Sequence, residues 1–287
     1  MITYPQYPHL PDEYIADKIA KFLAEDMPGG DKTTEGTISE SETISAEIQT
    51  GEKLVFAGEK IIHHCFGENC QTTLNHYDGD VLSNGDVIGV VTGPAREILS
   101  RERVMLNLIQ RLCGIASLTH KYAGIANPFN VKILDTRKTT PGLRLFEKYA
   151  VAVGGGYNHR LNLSDGILIK DNHIIASSSV TKAIESVRKD GAGLPLEIEV
   201  DNTDQIREAL EANVDGFLLD NMNPQTIKET VSLIRASENG NDIFIEASGG
   251  ITLNNIHPFL ETGVDAVSIG ALTHQAVSKD IRLNFIT

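Results

Sequence analysis

The chain has 287 residues, of which 41% are hydrophobic and 22% are charged, so it is long enough for one large α/β domain or two modest ones with a substantial core. Its formal net charge of −14 argues against nonspecific binding to DNA or to anionic membranes. Three cysteines without metal-type spacing fit a reducing compartment, and the lack of a secretory signal or a membrane-length apolar run predicts a cytoplasmic protein with no nucleic-acid or membrane partner.

The first third of the chain predicts helices packed on a largely antiparallel sheet. Apolar residues at helical spacing indicate an amphipathic helix over residues 12–26, and a proline with two glycines then breaks the pattern, so residues 25–34 are expected to form a loop. Residues 43–50 alternate between apolar and polar side chains, which is typical of a half-buried strand. Two further short strands and a long helix are predicted at residues 54–57, 87–92 and 95–117.

From Val131 onward, short apolar strands alternate with helices, which predicts a parallel sheet covered by helices, either as a barrel or as a doubly wound sheet. No GxGxxG follows the first of these strands, which counts against a dinucleotide-binding sheet. A seventh, weaker strand is proposed at residues 150–153. The six clear strands are predicted at residues 131–134, 167–169, 196–200, 217–219, 243–247 and 266–269, and helices at residues 180–189, 204–212 and 224–236.

The polar residues decide between these two architectures, because each predicted strand ends in charged or small residues. In a barrel, the active site collects residues from the carboxyl ends of many strands, whereas a doubly wound sheet concentrates them at one crevice. The distribution therefore favours a barrel. The strand-end residues are Arg137 and Lys138, Lys170, Glu199, Asp220, Ser248 to Gly250, and Gly270 with Ala271.

The segment from Asp135 to His173 carries more cations than acids, although the protein as a whole is acidic. Such a cluster predicts a pocket for a small, highly anionic ligand rather than a nucleic-acid surface. Arg137 offers a rigid fork for a carboxylate or phosphate and Lys138 a mobile charge, while a solvated surface turn explains the pair about equally well. The glycines at 154–156 allow close backbone approach, and the His-Arg pair after them adds donors, although a flexible loop is the alternative.

Lys170 lies at the end of an apolar strand, close to the predicted mouth of the barrel. Asp171 or Asn172 is expected to cap the helix that follows. His173 is better explained as a structural histidine than as a metal ligand, because no partner stands at metal-type spacing.

Carboxylates and glycines at the later strand ends predict a sugar-phosphate site. Glu199 and Asp220 can hold the hydroxyls of a ribose or Mg²⁺ on a pyrophosphate, and an ion pair with the lysines is an alternative that does not exclude this. Ser248 to Gly250 and Gly270 to Ala271 each lead toward a helix and offer backbone N–H groups to a phosphate. Tight turns alone would explain one glycine after each of these two strands, but they do not explain why two such glycine-containing turns occur. Arg103, on the long helix, is by pattern alone part of a solvated face.

Six motifs, in this order, resemble those of the quinolinate phosphoribosyltransferase family: DTRKTTPGLR, EKYAV, GGGYNHRLNLSDGILIKDNH, EVDN, LLDNM and EASGGI. EDMPGGDKTT resembles the family's N-terminal loop and RERVMLNLIQRLCGIAS its domain-joining helix, so the likeness covers nearly the whole chain. The chain departs from the pattern at Cys113, where the family usually has Ser, and at Asn162, where Gly is common. Neither position carries a charge contact, so these departures concern local packing only.

The resemblance implies an N-terminal α/β sandwich over residues 1–107 and an open, seven-stranded α/β barrel over residues 108–273, with a tail at residues 274–287 that returns to the first domain. It also implies a homodimer with shared active sites, in which each N-terminal domain closes over the partner's barrel. Arg103 would then reach into the neighbouring subunit's site rather than lie on a solvated face.

The resemblance implies a role for each strand-end residue. Quinolinate and phosphoribosyl pyrophosphate are the implied substrates, and Mg²⁺ accompanies the pyrophosphate without an assigned protein ligand. The two carboxylates of quinolinate would be bound by Arg137, His159, Arg160 and Lys170, and Lys138 would contact both substrates or the pyrophosphate. Glu199 and Asp220 would hold the ribose and Mg²⁺ end, and the 5-phosphate would be held by Ser248, Gly249, Gly250, Gly270, Ala271 and His274. The implied catalytic residues are Lys138, Lys170, Glu199 and Asp220.

The implied reaction converts quinolinate and phosphoribosyl pyrophosphate to nicotinate mononucleotide, pyrophosphate and CO₂, a step of NAD biosynthesis. The residues suit this chemistry independently, because charge stabilisation and positioning are sufficient and no nucleophile–base pair is required. The alternatives are a molybdenum-transport-associated relative of the same fold, a catalytically silent ligand-binding paralogue and an unrelated phosphate-binding barrel isomerase. The molybdenum-transport-associated relative usually lacks the LIK-x-NH form. A silent paralogue has no need of both a dicarboxylate site and a sugar-phosphate site. A phosphate-binding isomerase explains Ser248 to Gly250 but not Arg137, Arg160 and Lys170 together.

Overall fold

The computed structural model describes residues 2–190 and 193–286, and its contacts divide the chain into two compact units. The antiparallel unit comprises Tyr7–His120, Leu145–Gly155 and the residues from Gln275 onward, whereas the parallel unit comprises the residues up to Gln6, Lys121–Arg144 and Gly156–His274. This division differs from the predicted boundary at residue 107, because the long helix belongs to the antiparallel unit as far as His120 and most of a later helix belongs to it as well. No helix within the described ranges has an apolar stretch long enough to span a bilayer.

Helices and strands alternate regularly only in the second half of the chain. The helices are α1 (Asp12–Asp26), α2 (Lys32–Thr37), α3 (Glu59–Phe66), α4 (Ala95–Ala126), α5 (Arg144–Val153), α6 (Asp171–Ser177), α7 (Val180–Asp190), α8 (Thr203–Glu211), α9 (Pro224–Arg235), α10 (His257–Leu260) and α11 (Ala271–His274). The strands are β1 (Thr43–Thr50), β2 (Leu54–Val55), β3 (Gln71–Leu74), β4 (Val81–Leu82), β5 (Val87–Pro94), β6 (Lys132–Leu134), β7 (Ile167–Ile169), β8 (Leu196–Val200), β9 (Gly216–Asp220), β10 (Phe244–Ser248), β11 (Ala266–Ser268) and β12 (Ile281–Ile286).

The antiparallel unit is built on a four-stranded sheet in the order β12-β1-β5-β3. β1 is an inner strand with the predicted bounds, and its alternating side chains bury Ala46 and Ile48 on one face. β12 pairs antiparallel with β1 along its whole length, so the C-terminal tail completes this sheet.

The region after the first helix differs from its prediction. α1 has the predicted bounds and buries Ile15 and Ile19, but the loop predicted at residues 25–34 is wrong in its last part, because α2 begins at Lys32. The Asp31 side chain accepts a hydrogen bond from the Thr34 N–H at 3.0 Å. This bond satisfies one of the unpaired donors of the first turn, so a helix begins directly after the glycines.

Two later helices also depart from the predictions. α4 continues past residue 117 to Ala126, and it ends before Pro128, because a proline disfavours helical geometry in the residue that precedes it. Residues 150–153, proposed as a weak seventh strand, lie in α5 instead. Phe146 to Val151 are all buried, and an apolar run as short as this one fits a buried helix as well as a strand.

The parallel unit contains a six-stranded parallel sheet in the order β6-β11-β10-β9-β8-β7, and the helices between the strands confirm the open α/β barrel class. Beyond β6, Tyr157 adds a single parallel bridge to Leu134, in place of a seventh strand within the described residues. The side chains of Asn202 and Asn223 cap α8 and α9. Because these strands all run parallel, their carboxyl ends lie at the same end of the sheet.

The first glycine of the triplet at 154–156 serves helix packing. A Cβ atom on Gly154 would lie 2.5 Å from the carbonyl oxygen of Ala116 in α4. We therefore expect Gly154→Ala to lower the free energy of unfolding by about 1–3 kcal/mol through overpacking. The matched control is Gly124→Ala in α4, where no atom lies within 4 Å of the new Cβ, and where alanine should raise that free energy by about 0.5–1 kcal/mol. Equilibrium urea unfolding measures both, and a Gly154→Ala protein as stable as the parent would contradict the packing account.

Candidate active site

A cavity of about 350 Å³ lies at the carboxyl ends of the strands in the parallel unit. Every strand of the six-stranded sheet contributes to it, either directly or through the residues that follow the strand. Arg103 lies in the antiparallel unit, where it is exposed. The predicted site residues that line the cavity are Arg137, Lys138, His159, Arg160, Lys170, Glu199, Asp220 and Ser248, and the further lining residues are Thr136, Leu168, Leu218, Glu246 and Ser268.

Two arginines at this cavity form no ion pair with any described residue. Arg160 is only 6% exposed, and its Nη1 donates a hydrogen bond to the Gly166 carbonyl oxygen at 2.7 Å. Burial, followed by the neighbouring charge of Arg137, lowers the pKa of Arg160. The Nε of Arg137 is buried and has no hydrogen-bond acceptor among the described residues. The two guanidinium groups disfavour each other's charge, so an anion bound between them would be strongly stabilised.

The cation after β7 is already engaged. The Lys170 ammonium forms an ion pair with the Glu199 carboxylate, which confirms the ion pair predicted between a strand-end lysine and a strand-end carboxylate. Both residues also line the cavity. His173 Nδ1 accepts a hydrogen bond from the Lys170 backbone N–H at 2.9 Å, which confirms its structural role. The prediction that Asp171 or Asn172 caps α6 is confirmed in part: Lys170 is the N-cap residue, but the Asp171 carboxylate accepts a hydrogen bond from the Asn172 N–H of the first turn at 2.6 Å.

The glycine turn after β10 approaches the turn after β9 closely. Gly249 and Gly250 have φ values of +100° and +61°, left-handed conformations that glycine adopts without strain. A Cβ atom on Gly249 would lie 2.6 Å from the backbone nitrogen of Asn221. Each glycine turn leads toward a helix as expected: α10 begins at His257, some residues after the first turn, and α11 begins at Ala271.

Gly270 brings three predicted site residues together at the end of β11. A Cβ atom there would lie 2.9 Å from Lys138 Cδ and 3.2 Å from His274 Nε2. The Thr273 hydroxyl donates a hydrogen bond to the Lys138 carbonyl oxygen at 2.7 Å and so holds the segment after β6 against α11. The Lys138 side chain packs beside Gly270 and is otherwise exposed, so its ammonium group can move to contact a bound anion.

Two glutamates that the sequence analysis does not single out lie beside His159. His159 Nε2 is 3.2 Å from Glu197 Oε2 and 3.6 Å from Glu246 Oε2, and both glutamates are fully buried. The Tyr4 ring stacks on the imidazole at a centroid distance of 4.5 Å, and its hydroxyl donates to Glu197 at 3.4 Å. Burial, followed by the charge of Glu197, raises the pKa of Glu246 to about 8. The signal in the sequence is an acid near the middle of a mostly apolar strand, which is LEIEV for Glu197 and FIEAS for Glu246.

The donor atoms of this cluster are spaced as in a metal site, but the hydrogen bonds of His159 leave no ring nitrogen free to bind a metal. The donor atoms of His159, Glu197 and Glu246 lie within 4.8 Å of one another. However, His159 Nδ1 accepts a hydrogen bond from the Arg160 N–H at 2.8 Å, so the proton of the neutral ring is on Nε2. Nε2 therefore donates to a glutamate and has no lone pair for a metal. Asp135 fixes this segment by accepting a hydrogen bond from the His159 N–H at 2.8 Å.

Comparison with known proteins gives the same family at both ends of the chain. The family model described as "Quinolinate phosphoribosyl transferase, N-terminal domain" matches residues 31–113, and the one for the C-terminal domain matches residues 115–284. A probable nicotinate-nucleotide pyrophosphorylase [carboxylating] of Bacillus subtilis (strain 168) is 45% identical over 267 residues, which are 92% of this chain and 90% of that protein. The nicotinate-nucleotide pyrophosphorylase [carboxylating] of Mycobacterium leprae (strain TN) is 38% identical over 274 residues, 93% of this chain and 96% of that one.

Solved structures agree with these sequence relatives. The nicotinate-nucleotide pyrophosphorylase from Francisella tularensis superimposes with a TM-score of 0.90 at 34% identity, covering 99% of this chain and 100% of that chain. The one from Ehrlichia chaffeensis gives a TM-score of 0.89 at 38% identity, covering 94% and 98%. The family model for the C-terminal domain, which matches residues 115–284, spans every residue that lines the cavity.

Proposed function

Because the chain belongs to the quinolinate phosphoribosyltransferase family, we propose that it transfers the phosphoribosyl group of phosphoribosyl pyrophosphate to quinolinate with loss of one carboxylate. The products are nicotinate mononucleotide, pyrophosphate and CO₂, and the reaction serves NAD biosynthesis. The observation that carries this proposal is that two sets of side chains line one cavity: a cationic half (Arg137, Lys138, Arg160 and Lys170) and a carboxylate half (Glu199 and Asp220). The proposed compartment is the cytoplasm, with which the three free cysteines agree.

The cationic half suits a pyridine dicarboxylate. Arg137 and Arg160 present guanidinium groups that form no ion pair with a described residue, and a carboxylate can accept two parallel hydrogen bonds from such a group. Lys170 adds a third cation, whose charge is shared with Glu199. Both ring nitrogens of His159 are engaged within the protein, so it contributes ring surface and holds the Arg160 backbone through Nδ1.

The carboxylate half suits the ribose and pyrophosphate. Glu199 and Asp220 lie on the neighbouring strands β8 and β9, and both line the cavity. Carboxylate oxygens accept hydrogen bonds from ribose hydroxyls and are the ligand type that Mg²⁺ prefers, so this pair fits the sugar and metal end of phosphoribosyl pyrophosphate. The Asn221 side-chain amide donates to Asp220 at 2.6 Å and orients it. When bound, Mg²⁺ would neutralise charge on the leaving pyrophosphate.

The glycine turns suit the 5-phosphate. Ser248, Gly249 and Gly250 after β10, and Gly270 with Ala271 after β11, offer small side chains and backbone N–H groups at one end of the sheet. His274 and the Lys138 side chain both lie beside Gly270, and Lys138 also lines the cavity together with the arginines. Lys138 is therefore placed to contact the pyrophosphate or both substrates.

The proposed reaction proceeds by charge stabilisation. Departure of pyrophosphate develops positive charge at C1 of the ribose, which Glu199 and Asp220 stabilise, while Lys138 stabilises the leaving group. The ring nitrogen of quinolinate forms the new bond to C1 and becomes a positively charged pyridinium. That charge accepts the electron pair released when the carboxylate next to the ring nitrogen leaves as CO₂. Holding both substrates in one cavity supplies much of the acceleration.

The family resemblance further supports a homodimer in which each site is completed by the partner subunit. Arg103 is exposed on α4 and forms no ion pair with a described residue, so its charge is available to an anion outside its own chain. An arginine in this state fits the proposed role of closing the quinolinate end of the neighbouring subunit's cavity.

A direct assay tests the proposed function. The full-length protein is incubated with quinolinate, phosphoribosyl pyrophosphate and Mg²⁺, and nicotinate mononucleotide and CO₂ are measured; nicotinate replaces quinolinate in a parallel reaction. We expect product from quinolinate only, because nicotinate lacks the second carboxylate that the paired arginines bind. Tight quinolinate binding without product would favour a silent binding protein, and turnover of nicotinate would contradict the decarboxylating mechanism.

A further inference from the structure

Under the proposed function, the reaction needs a proton that none of the assigned residues supplies. When CO₂ leaves, the electron pair of the broken C–C bond stays on C2 of the pyridinium ring. A proton must then bond to C2, because nicotinate mononucleotide carries hydrogen there. The identity of this donor rests on the proposed function and goes beyond it.

The cations of the cavity are poor donors. Arginine does not give up its proton in proteins, which excludes Arg137 and Arg160. The Lys170 ammonium is held by Glu199, and Lys138 lies against Gly270 at the phosphate end. The Nε2 proton of His159 points to the buried glutamates.

Glu246 differs from all of these. It stands inside β10, lines the cavity and is 0% exposed, and neither carboxylate oxygen forms a hydrogen bond of normal geometry with a described residue. Its register partner on β9 is Leu218, which in turn pairs with Glu199 on β8, so Glu246 is level with a residue of the substrate site. The glutamate side chain has several rotatable bonds, so its acid group can turn toward a cavity occupant without movement of the strand. We propose that Glu246 is the acid that protonates C2 of the pyridine ring after CO₂ has left.

The surroundings keep this acid protonated at neutral pH. Burial and the charge of Glu197 on β8 act with Asp135 after β6 to raise the pKa of Glu246 to about 8, while the neighbouring His159 and the hydroxyl of Ser268 on β11 oppose them. Tyr4, which stacks on His159, is the further polar group at this cluster among the described residues. A general acid works best when its pKa lies near the working pH, and Glu246 meets this condition.

The step balances in atoms and charge. The Glu246 O–H bond breaks and its proton forms the new C–H bond with the electron pair on C2. Glu246 is left as a carboxylate beside Glu197, and this repulsion favours the return of a proton from solvent once the product leaves. No oxidant or further reactant is required.

The test is Glu246→Gln in the full-length protein. The amide keeps the size of the side chain and can donate to the unpartnered Glu197 Oε1, so we expect the fold to persist, but it cannot donate a proton to carbon. We expect kcat to fall by about 10²-fold, with KM for quinolinate and for phosphoribosyl pyrophosphate within about threefold of the parent. Glu229→Gln, an exposed change on α9, is the matched control and should leave kcat unchanged.

The pH profile separates an acid from a structural residue. The active form is the protonated one, so kcat of the parent should be level below the pKa of Glu246, about 8, and fall as pH rises above it. Glu246→Gln should lose this alkaline limb, and Glu246→Asp, which keeps an acid, should retain it at lower kcat. A Glu246→Gln enzyme with parental kcat, or a Glu246→Asp enzyme without the limb, would overturn the inference. An inactive parent would instead count against the proposed function itself.

Discussion

Arg137→Ala is expected to lower kcat/KM for quinolinate by roughly 10²–10³-fold, which corresponds to about 3–4 kcal/mol, because it removes one partner of a buried ion pair. The Nε of Arg137 is buried without an acceptor, and its charge destabilises that of Arg160. Removing the side chain from the ligand-free protein therefore breaks no hydrogen bond of that atom and relieves a repulsion. We expect the free energy of unfolding to stay equal or to rise while activity is lost.

Steady-state kinetics and urea unfolding on the same preparation measure both effects. Arg207→Ala, an exposed arginine on α8, is the control for loss of a positive charge and should change neither quantity appreciably. A loss of stability together with activity would show that Arg137 supports the fold rather than the ligand. Full activity without Arg137 would remove it from the proposed quinolinate site.

Arg103→Ala is expected to reduce activity at least as strongly, because the proposed dimer places this charge in the partner's cavity. The decisive result is complementation with Arg137→Ala. In a mixed dimer, one site lacks both arginines and the other has both, so random mixing of the two inactive variants should restore about a quarter of parental activity.

The mixing experiment contains its own control. Each variant remixed with itself should stay inactive, since no complete site can form. If Arg103 acted within its own chain, every subunit of the mixture would carry one defect, and no activity would return. That outcome, with mixed dimers demonstrated by differently tagged chains, would contradict the shared site.

Local periodicity predicted most of the fold. The helix at residues 12–26 and the strands at residues 43–50, 167–169 and 196–200 have the predicted bounds, because their apolar spacing is unambiguous. The sequence predicts a strand at residues 150–153 where the chain forms a helix, because so short an apolar run fits both periods. The start of α2 depends on one side-chain bond from Asp31, and the first glycine of the triplet serves contact with α4; neither is visible without the folded chain.

The strand-end residues of the cavity were more predictable than the buried Glu246. Parallel strands end at one edge, so Arg137, Lys170 and Glu199 could be placed together from strand order alone. Glu246 was predictable only in its direction, because it lies two residues before Ser248 and strand alternation places both on one face; its contact with His159 depends on the folded chain. Its raised pKa further depends on Glu197, which lies two strands away in the sheet.

The central claim is that one cavity joins phosphoribosyl transfer to loss of the carboxylate adjacent to the ring nitrogen. The most direct measurement uses quinolinate labelled with ¹³C in that carboxylate, and follows labelled CO₂, pyrophosphate and nicotinate mononucleotide in one reaction. We expect the three to appear in equal amounts, with all of the label in CO₂. Pyrophosphate release without labelled CO₂, or label retained in the nucleotide, would contradict the account.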